Sequence, residues 1–271
     1  MKLRIAQIQM PVTADREENI RRACDMVRQA GDIDMAVLPE MFCCPYDNAC
    51  FRPYGEEEGG PAYQALSALA RERHIWLVGG TMPELAEDRV YNTCYVFTPD
   101  GQLAAKHRKM HLFDIDVKGG QRFMESETLT AGSSVTTFET PWGVVGVCVC
   151  FDFRFAPLAG LMTQAGAKLM VVPAAFNMTT GPAHWELLFR QRAVDGQCYT
   201  VGTSPARDTA AGYVAWGHSI VCDPWGTVVR QCDETPQTVV TTLDMDRVEA
   251  IRQQLPILSA QRTDVYQLRR K

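Results

Sequence analysis

The 271-residue chain is 46% hydrophobic and 22% charged, an ordinary soluble globular composition with ample material for a large core. Its formal net charge of -5 argues against a dominant nucleic-acid or anionic-membrane surface, which leaves small molecules and protein as partners. Ten cysteines are scattered along the chain, and the amino terminus lacks the apolar core and cleavage site of a secretory signal. A reduced, cytoplasmic protein is therefore the expectation, not a disulfide scaffold. Neither Cys43-Cys44 nor Cys148-x-Cys150 has the spacing of a zinc knuckle, so no metal site is expected.

Met1 to Gln9 alternates apolar and polar residues and reads as a first strand. A helical pattern follows from Asp15 to Ala30, with Ile20, Ala23, Cys24 and Val27 on one face and Gly31 closing it. Met35 to Leu38 is a short buried strand, broken by Pro39 and followed by Glu40 and a loop from Met41 to Tyr54. An acid at the carboxyl end of a strand lies where open α/β sheets bind ligands. Pro61 to Arg73 reads as a helix and Ile75 to Gly80 as a buried strand. Tyr91 to Phe97 and Gln102 to Lys106 form a strand pair around the turn Pro99-Asp100-Gly101. The run Lys106-His107-Arg108-Lys109-Met110-His111 then offers a lysine ammonium able to pair with a carboxylate and to stabilise an oxyanion.

Asp116 to Gly132 is expected to be an extended loop over the sheet edge, with Phe123-Met124-Glu125 turned toward a pocket. Val135 to Phe138 and Val144 to Cys150 make a second strand pair, and Phe155 to Ala165 is compatible with helix. Cys150 thus falls where strand gives way to turn. There a thiol leaves the packed sheet while backbone N–H groups point toward developing charge, which makes Cys150 the candidate nucleophile. A thiol of ordinary pKa needs a base or a cation beside it. Lys168 to Val172 is another strand, and Ala174 to Gly181 a loop rich in possible ligand contacts. Helix Ala183 to Val194, strands Cys198 to Thr203, Ile220 to Cys222, Gly226 to Arg230 and Thr238 to Leu243, and a last helix Asp246 to Gln254 complete the body. Without repeats or a linker, residues 1–271 read as one α/β domain: two stacked sheets with helices outside, a four-layer α-β-β-α sandwich. The tail Leu255 to Lys271 carries Leu258, Val265, Tyr266 and Leu268 among charges and is expected to dock on a partner subunit or on its own body.

Leu38-Pro39-Glu40-Met41-Phe42, Arg108-Lys109-Met110-His111-Leu112-Phe113-Asp114 and Cys150-Phe151-Asp152-Phe153-Arg154-Phe155 together resemble the Glu-Lys-Cys triad segments of the nitrilase superfamily, the carbon-nitrogen hydrolases. The resemblance covers nearly the whole chain. At Phe176 to Arg192, Ser204 to Asp208 and Tyr213 to Ser219 it is similar to the omega-amidase branch. It implies the α-β-β-α sandwich, a homodimer, and no metal or organic cofactor. It also implies Glu40 as base, Lys109 as the triad lysine, Cys150 as nucleophile and Glu125 as the acid that positions the lysine and the incoming water. The oxyanion would be held by Lys109 and the Phe151 N–H.

The same resemblance implies amides of small 2-oxo acids, 2-oxoglutaramate and 2-oxosuccinamate, as substrates. Arg154 would clamp the carboxylate, Thr180 would supply a hydroxyl and Phe176 an apolar wall; Arg154 could instead pair with Asp152. His184 and Trp185 sit in the matched loop without an assigned role. Two positions depart from the family pattern: Phe151 stands where tyrosine is frequent and Cys43 where close relatives carry asparagine, which bears on substrate preference more than on reaction type. The competing readings are a hydrolase of another small amide, an N-carbamoyl compound or a nitrile, and a catalytically silent scaffold.

Overall fold

The computed structural model describes all 271 residues, and its organisation begins with the two-residue periodicity of the first strand. In β1 (Lys2–Gln9), Leu3 and Ile5 face one apolar layer and Ala6 and Ile8 the other, so the strand is covered on both sides. Five more strands follow in the same sheet: β2 (Met35–Val37), β3 (Trp76–Val78), β4 (Met82–Ala86), β5 (Arg89–Phe97) and β6 (Leu103–Arg108). A small hairpin, β7 (Asp114–Asp116) with β8 (Arg122–Met124), stands apart. The second sheet is built from β9 (Thr136–Thr140), β10 (Gly143–Val147), β11 (Leu169–Pro173), β12 (Tyr199–Thr203), β13 (Ile220–Cys222) and β14 (Val228–Gln231). The chain then returns to the first sheet, where β15 (Gln237–Asp244) pairs antiparallel with β1 from Lys2↔Asp244 to Gln9↔Gln237.

Helices α1 (Arg16–Gln29) and α3 (Pro61–Arg73) cover the outer face of the first sheet, with the short α2 (Asn48–Phe51) in the loop between them. Helices α4 (Ala156–Gln164) and α5 (Gly181–Gly196) cover the second sheet, and α6 (Asp246–Gln254) closes the body. Helix starts follow local chemistry: the Asp15 carboxylate caps α1 through the Glu18 N–H at 2.9 Å, and Pro61 opens α3 where no donor is needed. The layers are α-β-β-α, as the sequence predicts. Between the sheets, Gln7 reaches across and donates through Nε2 to the carbonyls of Gly202 at 2.7 Å and Ile220 at 3.1 Å.

Each sheet has a parallel core. In the first, β1, β2 and β3 run together (Ile5↔Met35, Met35↔Trp76), and in the second, β10, β11 and β12 do (Val145↔Leu169, Leu169↔Tyr199). Parallel strands leave their carboxyl ends on one edge, and loops from those ends build ligand sites. Glu40, Cys150 and Phe176 follow β2, β10 and β11 respectively.

Two local expectations are corrected. The stretch 116–132 is not an extended loop throughout: it contains the β7–β8 hairpin and a 3₁₀ turn at Glu125–Glu127, while Phe123 turns inward as expected and packs against Tyr46 and Phe113. The valine run toward Cys150 leaves the sheet at Val147, and Cys150 opens a 3₁₀ turn, Cys150–Arg154. The tail after α6 folds back over α4, where Leu268 lies close against Gly160, yet Val265 and Tyr266 stay 68% and 61% exposed. All ten cysteines are free. No helix is long and apolar enough to cross a membrane.

Candidate active site

The first sheet delivers a carboxylate through a strained turn. After β2, the chain passes Leu38-Pro39 and reaches Glu40, whose successor Met41 has φ +51° and is held by its N–H donating to Thr81 Oγ1 at 2.8 Å. A neighbouring glycine, Gly80, has φ +61°, and a Cβ there would meet the Pro39 carbonyl oxygen at 2.3 Å. Only glycine fits so close beside the acid's loop.

Glu40 is fully buried, and Oε1 accepts from Lys109 Nζ at 2.9 Å, Asn92 Nδ2 at 2.8 Å and Tyr46 OH at 3.2 Å. Lys109 lies just past β6 and is also fully buried; its ammonium donates to Glu125 Oε1 at 2.9 Å and to Tyr46 OH at 3.2 Å. Glu125 in turn accepts from Tyr46 OH at 2.5 Å and, through Oε2, from the Phe113 N–H at 2.6 Å. One ammonium thus bridges two buried carboxylates. Its own pKa answers to that balance: burial lowers it, but Glu125 and Glu40 outweigh burial and hold Lys109 above its ordinary value.

Cys150 arrives from the second sheet with φ +46°, a left-handed conformation that a non-glycine residue adopts only under constraint. The constraint is Asp152, buried two residues on. Its carboxylate accepts from the Val149 N–H at 3.1 Å, the Met110 N–H at 3.1 Å, the His111 N–H at 2.8 Å, His107 Nε2 at 2.9 Å and His111 Nδ1 at 2.7 Å. It therefore ties the turn of Cys150 to the segment that carries Lys109. Burial would raise the Asp152 pKa, but the His107 and His111 bonds prevail and depress it.

Cys150 sits close enough to Glu40, Lys109 and the Ala175 backbone for each to act on its thiol. Burial, then the Glu40 charge, hold Cys150 well above the ordinary thiol value, while Lys109 and the Ala175 N–H pull it down. Glu40 is raised too, chiefly by burial, with Lys109 opposing and Glu125 adding. The raised thiol pKa keeps the proton on sulfur, with Glu40 and the Lys109 ammonium beside it.

Beyond Cys150, a narrow crevice is lined by Phe151, Arg154, Phe176, Thr180 and Tyr213. Arg154 forms no ion pair with Asp152, which is engaged by the two histidines, and no carboxylate in the chain pairs with its guanidinium. Its Nη1 instead meets His184 Nδ1 at 3.0 Å, and its cation sits 4.6 Å from the Phe176 ring centroid. Burial lowers its pKa, and Cys150 and Tyr213 only partly offset that. Thr180 borders the crevice, and its hydroxyl and N–H both donate to Asn177 Oδ1 at 2.9 Å. Trp185 holds the loop, donating through Nε1 to the His218 carbonyl at 2.6 Å. Cys43 lies buried among apolar side chains, its pKa pushed up to about 12 by burial. No group of three or more His, Cys, Asp or Glu side chains is placed to hold a metal ion.

Four contributors escaped the sequence reading. Asn92 is a polar residue in the middle of an apolar strand, a pattern break that signals a buried hydrogen bond. Tyr46 and Tyr213 carry no such signal, being aromatic residues in loops. His107 alternates with Lys106 and Arg108 on a charged strand, so only the structure shows it turned inward against Asp152.

The sequence pattern of the carbon-nitrogen hydrolase family matches residues 3–253. The omega-amidase NIT2 of Mus musculus is 48% identical over 99% of this chain and 98% of that protein. The omega-amidase NIT2 of Homo sapiens is 47% identical over the same shares of each. Among solved structures, Nit3 of Saccharomyces cerevisiae, a member of branch 10 of the nitrilase superfamily, superposes with a TM-score of 0.88 at 41% identity, over 96% of this chain and 97% of that one. The chain belongs to the carbon-nitrogen hydrolases of the nitrilase superfamily, enzymes that hydrolyse carbon-nitrogen bonds.

Proposed function

We propose that this carbon-nitrogen hydrolase is an omega-amidase, removing the terminal amide of small 2-oxo acid amides such as 2-oxoglutaramate and 2-oxosuccinamate to give the 2-oxo dicarboxylic acid and ammonia. The observation that carries the substrate class is Arg154, a guanidinium in the crevice beside Cys150 that has no acid of its own. A substrate carboxylate at the end away from the amide would supply the missing charge and accept a bidentate pair of bonds. Phe176 would form the apolar wall, and Thr180 borders the same end.

The reaction follows from charge placement. Glu40 takes the thiol proton as Cys150 attacks the amide carbon, and Lys109 offsets the negative charge as it forms. The tetrahedral oxyanion is held by Lys109 Nζ and the Phe151 N–H, each donor contributing about 3 to 4 kcal/mol to the transition state. Glu40 returns the proton to nitrogen, the C–N bond breaks, and ammonia leaves a thioester on Cys150. Water then gives a proton to Glu40 and attacks the thioester, with Glu125 keeping Lys109 in place; the thiolate takes the proton back and the acid departs. No step requires an organic cofactor or a metal.

The assembly we propose is one carbon-nitrogen hydrolase domain per chain, paired as a homodimer through α4, α5 and the tail 255–271, where exposed Val265 and Tyr266 flank a groove bounded by Ala159, Gly160 and Leu268. Ten free and mostly buried thiols suit a reducing, cytoplasmic setting. The test of the substrate class is ammonia release from 2-oxoglutaramate beside the same compound with its carboxylate esterified. The acid should be turned over at least tenfold more efficiently by kcat/KM; equal efficiency would remove Arg154 from substrate recognition.

A further inference from the structure

We propose that Asn92 is a positioning residue of the amidase, fixing the Glu40 carboxylate on one oxygen and holding it ionised for its work as base. This rests on the amidase reading above and deepens it. Asn92 is fully buried in β5, a strand paired on both sides by β3, β4 and β6. It touches two members of the triad. Its carbonyl accepts from the Lys109 N–H at 2.8 Å, and its Nδ2 donates to Glu40 Oε1 at 2.8 Å. Base and ammonium are thus both tied to one residue of a rigid strand.

The other donors to Glu40 are shared. Lys109 Nζ divides its N–H groups among Glu40, Glu125 and the Tyr46 hydroxyl. Tyr46 has a single O–H, and Glu125 Oε1 at 2.5 Å lies nearer to it than Glu40 Oε1 at 3.2 Å. The Asn92 amide serves Glu40 alone. All three contacts reach Oε1, while Oε2 is buried without a hydrogen-bond partner. One oxygen is anchored and the other is bare, so the proton taken from the thiol or from water goes to the bare one.

Packing alone does not account for an asparagine here. Its own Oδ1 is buried without a partner, a state that costs stability and that a leucine of similar size would avoid. What the amide adds over leucine is the N–H that meets Glu40. The electrostatic consequence has a definite sign. From the elements around it, Glu40 faces Lys109 past β6, Glu125 past β8, Tyr46 in the loop after β2, Cys150 in its 3₁₀ turn and Tyr213 in the loop before β13. Burial and Glu125 favour the protonated acid, and Lys109 opposes them. A neutral donor joins Lys109 in favouring the carboxylate. Without it, Glu40 takes up its proton at a higher pH.

The test uses Asn92→Leu, which keeps the size and removes the donor, and Asn92→Ala. Two rates are followed against pH, each per folded molecule. One is kcat/KM for ammonia release from 2-oxoglutaramate. The other is alkylation of Cys150 by neutral iodoacetamide, in which sulfur displaces iodide and Glu40 takes the thiol proton. The expected result is an acid limb moved up by about one pH unit in both rates. On the plateau kcat should fall about tenfold, with KM within about twofold of wild type because Asn92 does not line the crevice. An acid limb left at the wild-type position in a folded variant would overturn the proposal, since an asparagine that only supports the fold changes how much protein is folded and not the pH at which its base ionises. A KM that rises as far as kcat falls would overturn it too, because the damage would then have spread to the crevice. Wild-type protein that releases no ammonia from 2-oxoglutaramate would refute the substrate reading, and the alkylation profile would still decide the role of Asn92. Should Asn92→Ala fail to fold, Asn92→Leu decides alone.

Discussion

Asp152 touches no substrate in the proposed reaction, yet its removal should be among the most damaging changes in the protein. Its carboxylate is fully buried and accepts from three backbone N–H groups and two imidazoles, which join the Cys150 turn to the Lys109 segment. In Asp152→Ala those donors lose their acceptor in a dry site. A hydrogen bond to a charged group contributes about 1.5 to 3 kcal/mol, but relaxation and entering water recover part of the loss, so the net cost is about 3 to 5 kcal/mol, as for breaking a buried charge pair. At about 2 to 4 °C per kcal/mol for a chain of this size, the melting temperature should fall by roughly 10 °C. Asp152→Asn keeps the shape but turns one acceptor into a donor facing donors, so its fall should be of similar size. The strained φ of Cys150 relies on the same brace, so acylation should drop by more than the loss of folded protein explains. Scanning calorimetry together with the thioester burst per folded molecule checks both. A shift below about 2 °C, or a normal burst from the folded fraction, would refute the brace. The pH dependence carries a sign as well: the folded pKa of Asp152 is depressed, so its stabilisation is complete above the unfolded value near 3.9 and is lost as pH falls below it.

Glu125→Gln removes one of the two anions that hold Lys109 charged, and should lower kcat by about 10² with KM little changed, read by steady-state ammonia release. Arg154→Ala should raise KM for 2-oxoglutaramate at least tenfold, in keeping with about 1.5 to 3 kcal/mol for a charge-assisted pair, while the rate of Cys150 alkylation by the neutral iodoacetamide stays near wild type. Because burial raises Glu40, and the base must be ionised, kcat/KM should decline on the acid side at a pH above the ordinary carboxylate range near 4.3; a limb at or below that value, followed in wild-type protein, would contradict the assignment.

The layered fold was legible because its signals are local and repeated. Alternation in Met1 to Gln9, the capped pattern after Asp15 and the short apolar runs each name an element, and the two sheets follow from their order. Helix ends and strand ends moved by a few residues where a cap or a turn decided them, as at Asp15 and at Val147. Glu40, Lys109 and Cys150 were readable because each sits just past a strand within a segment that the family resemblance marks. What periodicity does not carry is who faces whom. Asp152 looked like a neighbour for Arg154, but in a 3₁₀ turn it points back to His107 and His111, and the guanidinium turns to Phe176 and His184. Tyr46 and Tyr213 come from loops far apart in sequence, and only the closed fold stacks them above the acids. Thr180 was expected to offer its hydroxyl to substrate; it donates to Asn177, three residues away, a turn contact that spacing alone did not single out.

The central claim is that Cys150, paired with Glu40 and Lys109, is acylated by a small 2-oxo acid amide. The most direct measurement is intact-protein mass after rapid acid quench of a mixture with 2-oxoglutaramate, with peptide mapping and with Cys150→Ala beside it. The account predicts an adduct of the 2-oxoglutaryl group on Cys150, formed as ammonia is released and absent with all ammonia release in the variant. An unmodified Cys150 during turnover, or undiminished ammonia release by Cys150→Ala, would contradict it.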